Sequence, residues 1–82
     1  MGGSVIPLIN FNSVVVWKTP NVTAYCPAGK KATGGGGQCA SVTNSGNAFL
    51  WFSGSTGISE WTVGCDSLIN QDVRASVWVV CV

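Results

Sequence analysis

Short apolar runs alternate with turn-forming clusters along the chain, and the apolar positions are mostly β-branched or aromatic. That pattern is the mark of short strands rather than helices. Residues 21–26 alternate cleanly, with Val22, Ala24 and Cys26 on one face and Thr23 and Tyr25 on the other. Residues 60–65 set Trp61, Val63 and Cys65 together. Residues 74–82 set Ala75, Val77, Val79 and Cys81 against Ser76, Trp78, Val80 and Val82. Further strands are predicted over residues 5–10, 13–18, 38–43 and 48–53.

Between these runs lie the turns. Cys26-Pro27-Ala28-Gly29-Lys30 is predicted as a tight turn, with proline setting φ and glycine relieving it. Asn44-Ser45-Gly46-Asn47 reads as a hairpin loop. Residues 53–59 read as a Gly/Ser-rich loop, and residues 66–72 as a longer crossover. Consecutive glycines at Gly34, Gly35, Gly36 and Gly37 permit positive φ, a bulge, or close passage beside a bulky ring. With 4 tryptophans in the chain, an indole packed over this run is expected.

Composition narrows the class. The chain has 82 residues, is 46% hydrophobic and only 9% charged, which argues against disorder. Eighty-two residues make one domain, residues 1–82, with residues 1–4 as extraneous or junction residues. A net charge of +1 supplies no long-range field for DNA or RNA, so no nucleic-acid partner is expected. The longest apolar runs, residues 14–17 and 77–82, fall far short of the roughly 20 that a membrane helix needs. Residues 1–17 lack a basic start and are interrupted by Pro7, Asn10 and Asn12, so they do not read as a secretion signal.

Cysteine arithmetic adds the strongest constraint. Cys26, Cys39, Cys65 and Cys81 stand in a chain without histidine. They are separated by 12, 25 and 15 residues, without the close pair that usually clamps structural zinc. Two disulfides in an oxidising compartment are expected, and spacing alone leaves all three pairings open. The expected fold is therefore all-β, a small disulfide-stapled antiparallel β-sandwich or barrel-like domain. The chain is read as one exported piece of a longer protein, attached through its N-terminus.

Catalytic readings lack residues. Glu60, Asp66 and Asp72 are the only acids, and a serine nucleophile would find no histidine. The glycine run lacks the Gly-Lys-Ser/Thr step of a phosphate loop. No enzyme activity, cofactor or metal is expected. Asn21-Val22-Thr23 matches a glycosylation sequon, a short pattern with a high false-positive rate.

Binding is the remaining class. Phe11, Trp17, Tyr25, Phe49, Trp51, Phe52, Trp61 and Trp78 are expected mostly in the core. Strict alternation over residues 49–52 nevertheless exposes one large apolar side chain beside the 53–59 loop. An exposed ring beside Asn, Asp and Ser suits a neutral glycan, the ring covering C–H groups and the polar groups binding hydroxyls. Candidate ligand-binding residues are Trp51 or Phe52 as platform, with Asn44, Asn47, Asn70 and Asp72 around it. Lys30 and Lys31 could meet phosphate or an acidic sugar. Burial of the exposed ring between subunits is the rival reading, so a homo-oligomer also stays open.

The segment from Cys26-Pro-Ala-Gly-Lys to Gly-Gly-Gly-Gln-Cys39, then Trp61-Thr-Val-Gly-Cys65, then Ala75-Ser-Val-Trp-Val-Val-Cys81, resembles a family of small exported bacterial β-modules. The resemblance covers about residues 22–82. Such modules end surface and phage-tail proteins. Among parents, the chain looks like the variable C-terminal segment of the shufflon-type PilV adhesins, type IVb minor pilins whose interchangeable ends arise by DNA inversion. The resemblance implies a receptor-binding domain at the pilus tip, outside the cell, that selects recipient cells in conjugation through lipopolysaccharide. It implies attachment to a parent pilin, and the pairing Cys26–Cys81 and Cys39–Cys65. The alternative is a structural or trimerising module of a phage tail fibre or secreted surface protein.

Overall fold

A computed structural model describes residues 7–43 and 46–82. Six strands run β1 (Leu8–Trp17), β2 (Asn21–Tyr25), β3 (Ala32–Ser41), β4 (Ala48–Gly57), β5 (Glu60–Ser67) and β6 (Asp72–Cys81). They form two antiparallel three-stranded sheets, β1-β6-β3 and β2-β5-β4. The fold is an all-β sandwich with β6 and β5 as the central strands.

Alternation places the core. The inward positions of β6 are Val73, Ala75, Val77, Val79 and Cys81, all buried. They meet Val22 and Ala24 of β2 and Val63 and Cys65 of β5. These are the faces that period-2 patterning predicts. Each core side chain is small, and the reason lies in β3.

The four glycines stand inside β3, not ahead of a strand at residue 38 as expected. Gly35 and Gly37 point inward. A Cβ on Gly35 would lie 2.6 Å from Trp61 Cγ and 2.5 Å from the Trp78 carbonyl oxygen. One on Gly37 would collide with the Ser76 carbonyl oxygen and the Val63 side chain. On the outer face the Trp78 indole covers Gly36, with Cζ2 2.6 Å from an added Cβ. The indole packing expected over the glycine run is thus present twice, once on each face of β3.

Both disulfides join the sheets. Cys26, just past β2, bridges to Cys81 at the end of β6, and Cys39 on β3 bridges to Cys65 on β5. Each has a Cα–Cα separation of 5.8 Å, the ordinary span of a disulfide. The side chains fully buried between the sheets are valine, alanine and cysteine, with the Trp61 ring packed against them. The closed loops span sequence separations of 55 and 26 residues. In the chain-entropy model bridges of that reach contribute roughly 3.5–4 kcal/mol each.

Four boundaries differ from expectation for physical reasons. Residues 8–17 form one strand instead of two, because the Asn10 and Asn12 side chains do not break it. Their Nδ2 groups donate to the Tyr25 and Thr23 carbonyls at 2.7 and 2.9 Å, sewing β1 to the facing sheet's edge. The expected 53–59 loop is strand as far as Gly57, and only Ile58 and Ser59 form the turn into β5. Asn44-Ser45-Gly46-Asn47 is not a hairpin, since β3 and β4 belong to different sheets; Asn44 and Ser45 lie outside the described residues. The turn after Cys26 forms, with Gly29 at φ 84° and Lys30 N–H donating to the Pro27 carbonyl at 3.1 Å. The 66–72 crossover is short, passing between sheets at residues 68–71.

The glycine contacts predict a graded series. Gly35→Ala and Gly37→Ala should each destabilise the domain by about 3 kcal/mol, because overpacking here pushes against backbone as well as side chain. Gly34→Ala should be tolerated, since a Cβ there meets nothing within 4 Å. Denaturant unfolding of the three variants measures the difference.

Candidate functional site

Most of the large rings lie outside the sandwich, contrary to the expectation that they fill the core. Phe11 is 75% exposed and Trp17 and Trp51 are 61% exposed, while Tyr25, Phe49 and Trp78 also face solvent. Only Trp61 packs inward, against Gly35 and the core, with Nε1 donating to Ser53 Oγ at 3.0 Å. The facing sheet packs directly on the glycine backbone of β3, which leaves little room there for further rings.

On the outer face of the β2-β5-β4 sheet, a bulge assembles the aromatic group. Leu50 pairs with Cys65 and Phe52 with Gly64, so Trp51 is the extra residue. A bulge sets two residues against one and re-aims a side chain. Trp51 and Phe52 therefore leave strict alternation and share the outer face, with Phe49, which pairs with outward Asp66. Their ring centroids are 5.8 Å apart and tilted by 47°. Trp51 lies over Gly64, whose added Cβ would come within 3.0 Å of the indole Nε1. Phe52 leans on Gly54, 3.3 Å from its added Cβ.

Polar groups border these rings. The Thr62 hydroxyl is 2.7 Å from those of Thr23 and Thr56, and Thr56 donates to Glu60 Oε2 at 2.7 Å. Asn21 Oδ1 sits beside Gly64 and the Trp51 indole. The surface is shallow, and no pocket forms among the described residues. It can offer ring faces and hydroxyl, amide and carboxylate groups to a ligand lying flat on the sheet. All four cysteine sulfurs are in bridges, so none serves as a metal ligand or nucleophile. Among the described residues no group of three or more metal-binding side chains forms.

The remaining candidates divide between the two ends of the sandwich. Asn47 and Asn70 share one end, where Leu68 N–H donates to the Asn47 carbonyl at 2.9 Å. Asp72 opens β6 at the same end, but pairs with Trp17 on the other sheet's outer face. Lys30 and Lys31 lie at the opposite end, where Lys31 and Val82 exchange backbone bonds of 2.9 and 3.0 Å. About six residues of strand separate Trp51 from that end, or roughly 20 Å. The platform and the two lysines therefore cannot contact one sugar unit. Asn44 lies outside the described residues.

Gln71 organises the first end, and sequence reasoning missed it. It is 4% exposed. Its Oε1 accepts from Ser41 and Thr43 hydroxyls at 2.6 and 3.1 Å, and its Nε2 donates to the Gly46 carbonyl and Ser67 Oγ at 2.7 and 2.9 Å. Its carbonyl takes the Lys18 N–H at 2.9 Å. Its side-chain amide thus ties two connections together, and its backbone carbonyl holds a third, beside Asn47 and Asn70. A glutamine in a polar stretch carries no sequence signal of this role.

The chain is similar to Shufflon protein B′ of Escherichia coli, 36% identical over 67 residues. The likeness covers 79% of this chain and 14% of that protein, so the chain spans about a seventh of its length. It supports a shufflon-type domain. No family model matches the chain, and no solved structure matches it significantly.

Gln71→Ala should lower stability by about 2–4 kcal/mol, because it strips partners from several part-buried polar groups at once. Hydrogen exchange should rise first at residues 41–43, 46–47 and 67–71. A change confined to the surface, with those amides still protected, would contradict the role given to Gln71.

Proposed function

We propose that this domain is the receptor-binding end of a pilus tip adhesin. It recognises lipopolysaccharide glycan on a recipient bacterium and so selects partners in conjugation. The likeness to one segment of a shufflon protein supports a variable surface domain of adhesin type, and two disulfides suit an extracellular setting. The observation that carries the glycan reading is the bulge that turns Trp51 and Phe52 together onto an outer face bordered by hydroxyls and an amide.

The mechanism is recognition without chemistry. The Trp51 and Phe52 rings cover the C–H face of a sugar. Asn21, Thr62 and Asp66 take hydroxyls on the sheet, and Asn47 and Asn70 meet a chain that extends over the adjoining end. Asp72, Lys30 and Lys31 are too far round the domain for the same sugar, and would meet other units of a long polysaccharide. A shallow site of this kind binds weakly per contact, and many copies raise its avidity. The second reading, a structural or trimerising module of a tail fibre or secreted surface protein, draws on the apolar outer face of the other sheet.

A lipopolysaccharide and glycan array with the intact domain tests the proposal. Binding to at least one outer-membrane polysaccharide is expected, and Trp51→Ala should weaken it at least about tenfold, as hot-spot aromatics do. Circular dichroism of that variant should match the parent chain. Silence on every polysaccharide would end the glycan reading.

A further inference from the structure

The outer face of the β1-β6-β3 sheet is apolar and open, and its pattern is self-complementary. Register places Ile9, Phe11, Ser13, Val15 and Trp17 of β1 beside Val80, Trp78, Ser76, Arg74 and Asp72 of β6. On β3 the matching row is Gly34, Gly36, Gln38 and Ala40. Taking about 150–250 Å² for each aromatic ring, the exposed parts of Ile9, Phe11, Val15, Trp17 and Trp78 leave roughly 600 Å² of apolar surface. That is the upper end of what a monomer leaves uncovered, about 300–600 Å². With the polar row Ser13, Ser76 and Gln38 it approaches the ~800 Å² that each partner gives a stable interface.

We infer that this face pairs with the same face of a second copy. The two-fold axis would lie in the plane of contact, across the strands, through the row Ser13, Ser76 and Gln38. A two-fold contact requires each patch to fit itself. About this axis each residue two steps one way from the row meets its counterpart two steps the other way. Phe11 then meets the partner's Val15, and Ile9 meets the partner's Trp17. Trp78, lying flat over Gly36, meets the partner's Arg74, a cation on an indole face. Polar Ser13, Ser76 and Gln38 meet themselves at the centre. A two-fold axis along β6 instead sets Arg74 against the partner's Arg74 and Asp72 against the partner's Asp72. Like charges face to face disfavour it.

Pairing through this sheet leaves Trp51 and Phe52 free on the opposite outer faces of the two copies, and covers Asp72, which then lies opposite the partner's Val80. The inference does not depend on what those rings bind.

Sedimentation equilibrium of the full 82-residue chain tests it. A concentration-dependent dimer is expected. Phe11→Ser and Trp17→Ser should each raise its dissociation constant at least about tenfold with the circular dichroism unchanged, since both side chains are exposed in the single copy. Ser13→Cys should give a covalent dimer on mild oxidation, linked at residue 13 by peptide mapping, whereas Val15→Cys should not. A monomer at all concentrations, a trimer, or a dimer indifferent to Phe11 and Trp17 would overturn the inference. No glycan enters the measurement, so its failure is separate from failure on the array.

Discussion

The close approach of the two sheets at the bare backbone of β3 governs the rest of the domain. Gly35 and Gly37 admit the Trp61 ring and the Val63 side chain to positions that any Cβ would occupy. Two disulfides tie the sheets together across this contact. A core this thin buries little apolar volume, which is why covalent staples matter in so small a chain. It also expels the rings. Aromatic side chains that a thicker sandwich would hide are carried on its outer faces, where they are available for binding.

The two outer faces use the rings differently. On the β2-β5-β4 sheet the bulge gathers Trp51 and Phe52 beside threonines and an asparagine, a compact platform with polar borders. On the β1-β6-β3 sheet the rings are spread along β1 and β6 at regular strand spacing, with polar residues at the centre. The first arrangement suits a polar ligand with one apolar face. The second suits another flat sheet. The likeness to a segment covering 14% of a shufflon protein supports a variable surface domain of adhesin type.

Legibility in the sequence followed the range of the interaction. Strands with one buried and one open face, such as β2 and β6, are written in period-2 alternation, and their faces were readable residue by residue. The glycine run was readable as a place of close approach, but not as strand, because glycine carries no pattern. Asn10 and Asn12 looked like interruptions of an apolar run, yet their amides reach carbonyls 15 and 11 residues away on the facing sheet. Of the candidate binding residues, Trp51 and Phe52 do form one group. Asp72, Lys30 and Lys31 were close to the others only in type, since the fold places them on another face or at the far end.

What the sequence by itself determined is the all-β class, the inward faces of its regular strands, and the supply of four cysteines in a chain without histidine. Those properties are local, set by side-chain periodicity and composition. Only the tertiary structure decided how thin the core is, which rings it excludes, and that a bulge turns Trp51 and Phe52 the same way. Each of these depends on what the opposing strand presents, and a residue's own neighbours in the chain carry no information about the backbone it will meet across the sheet.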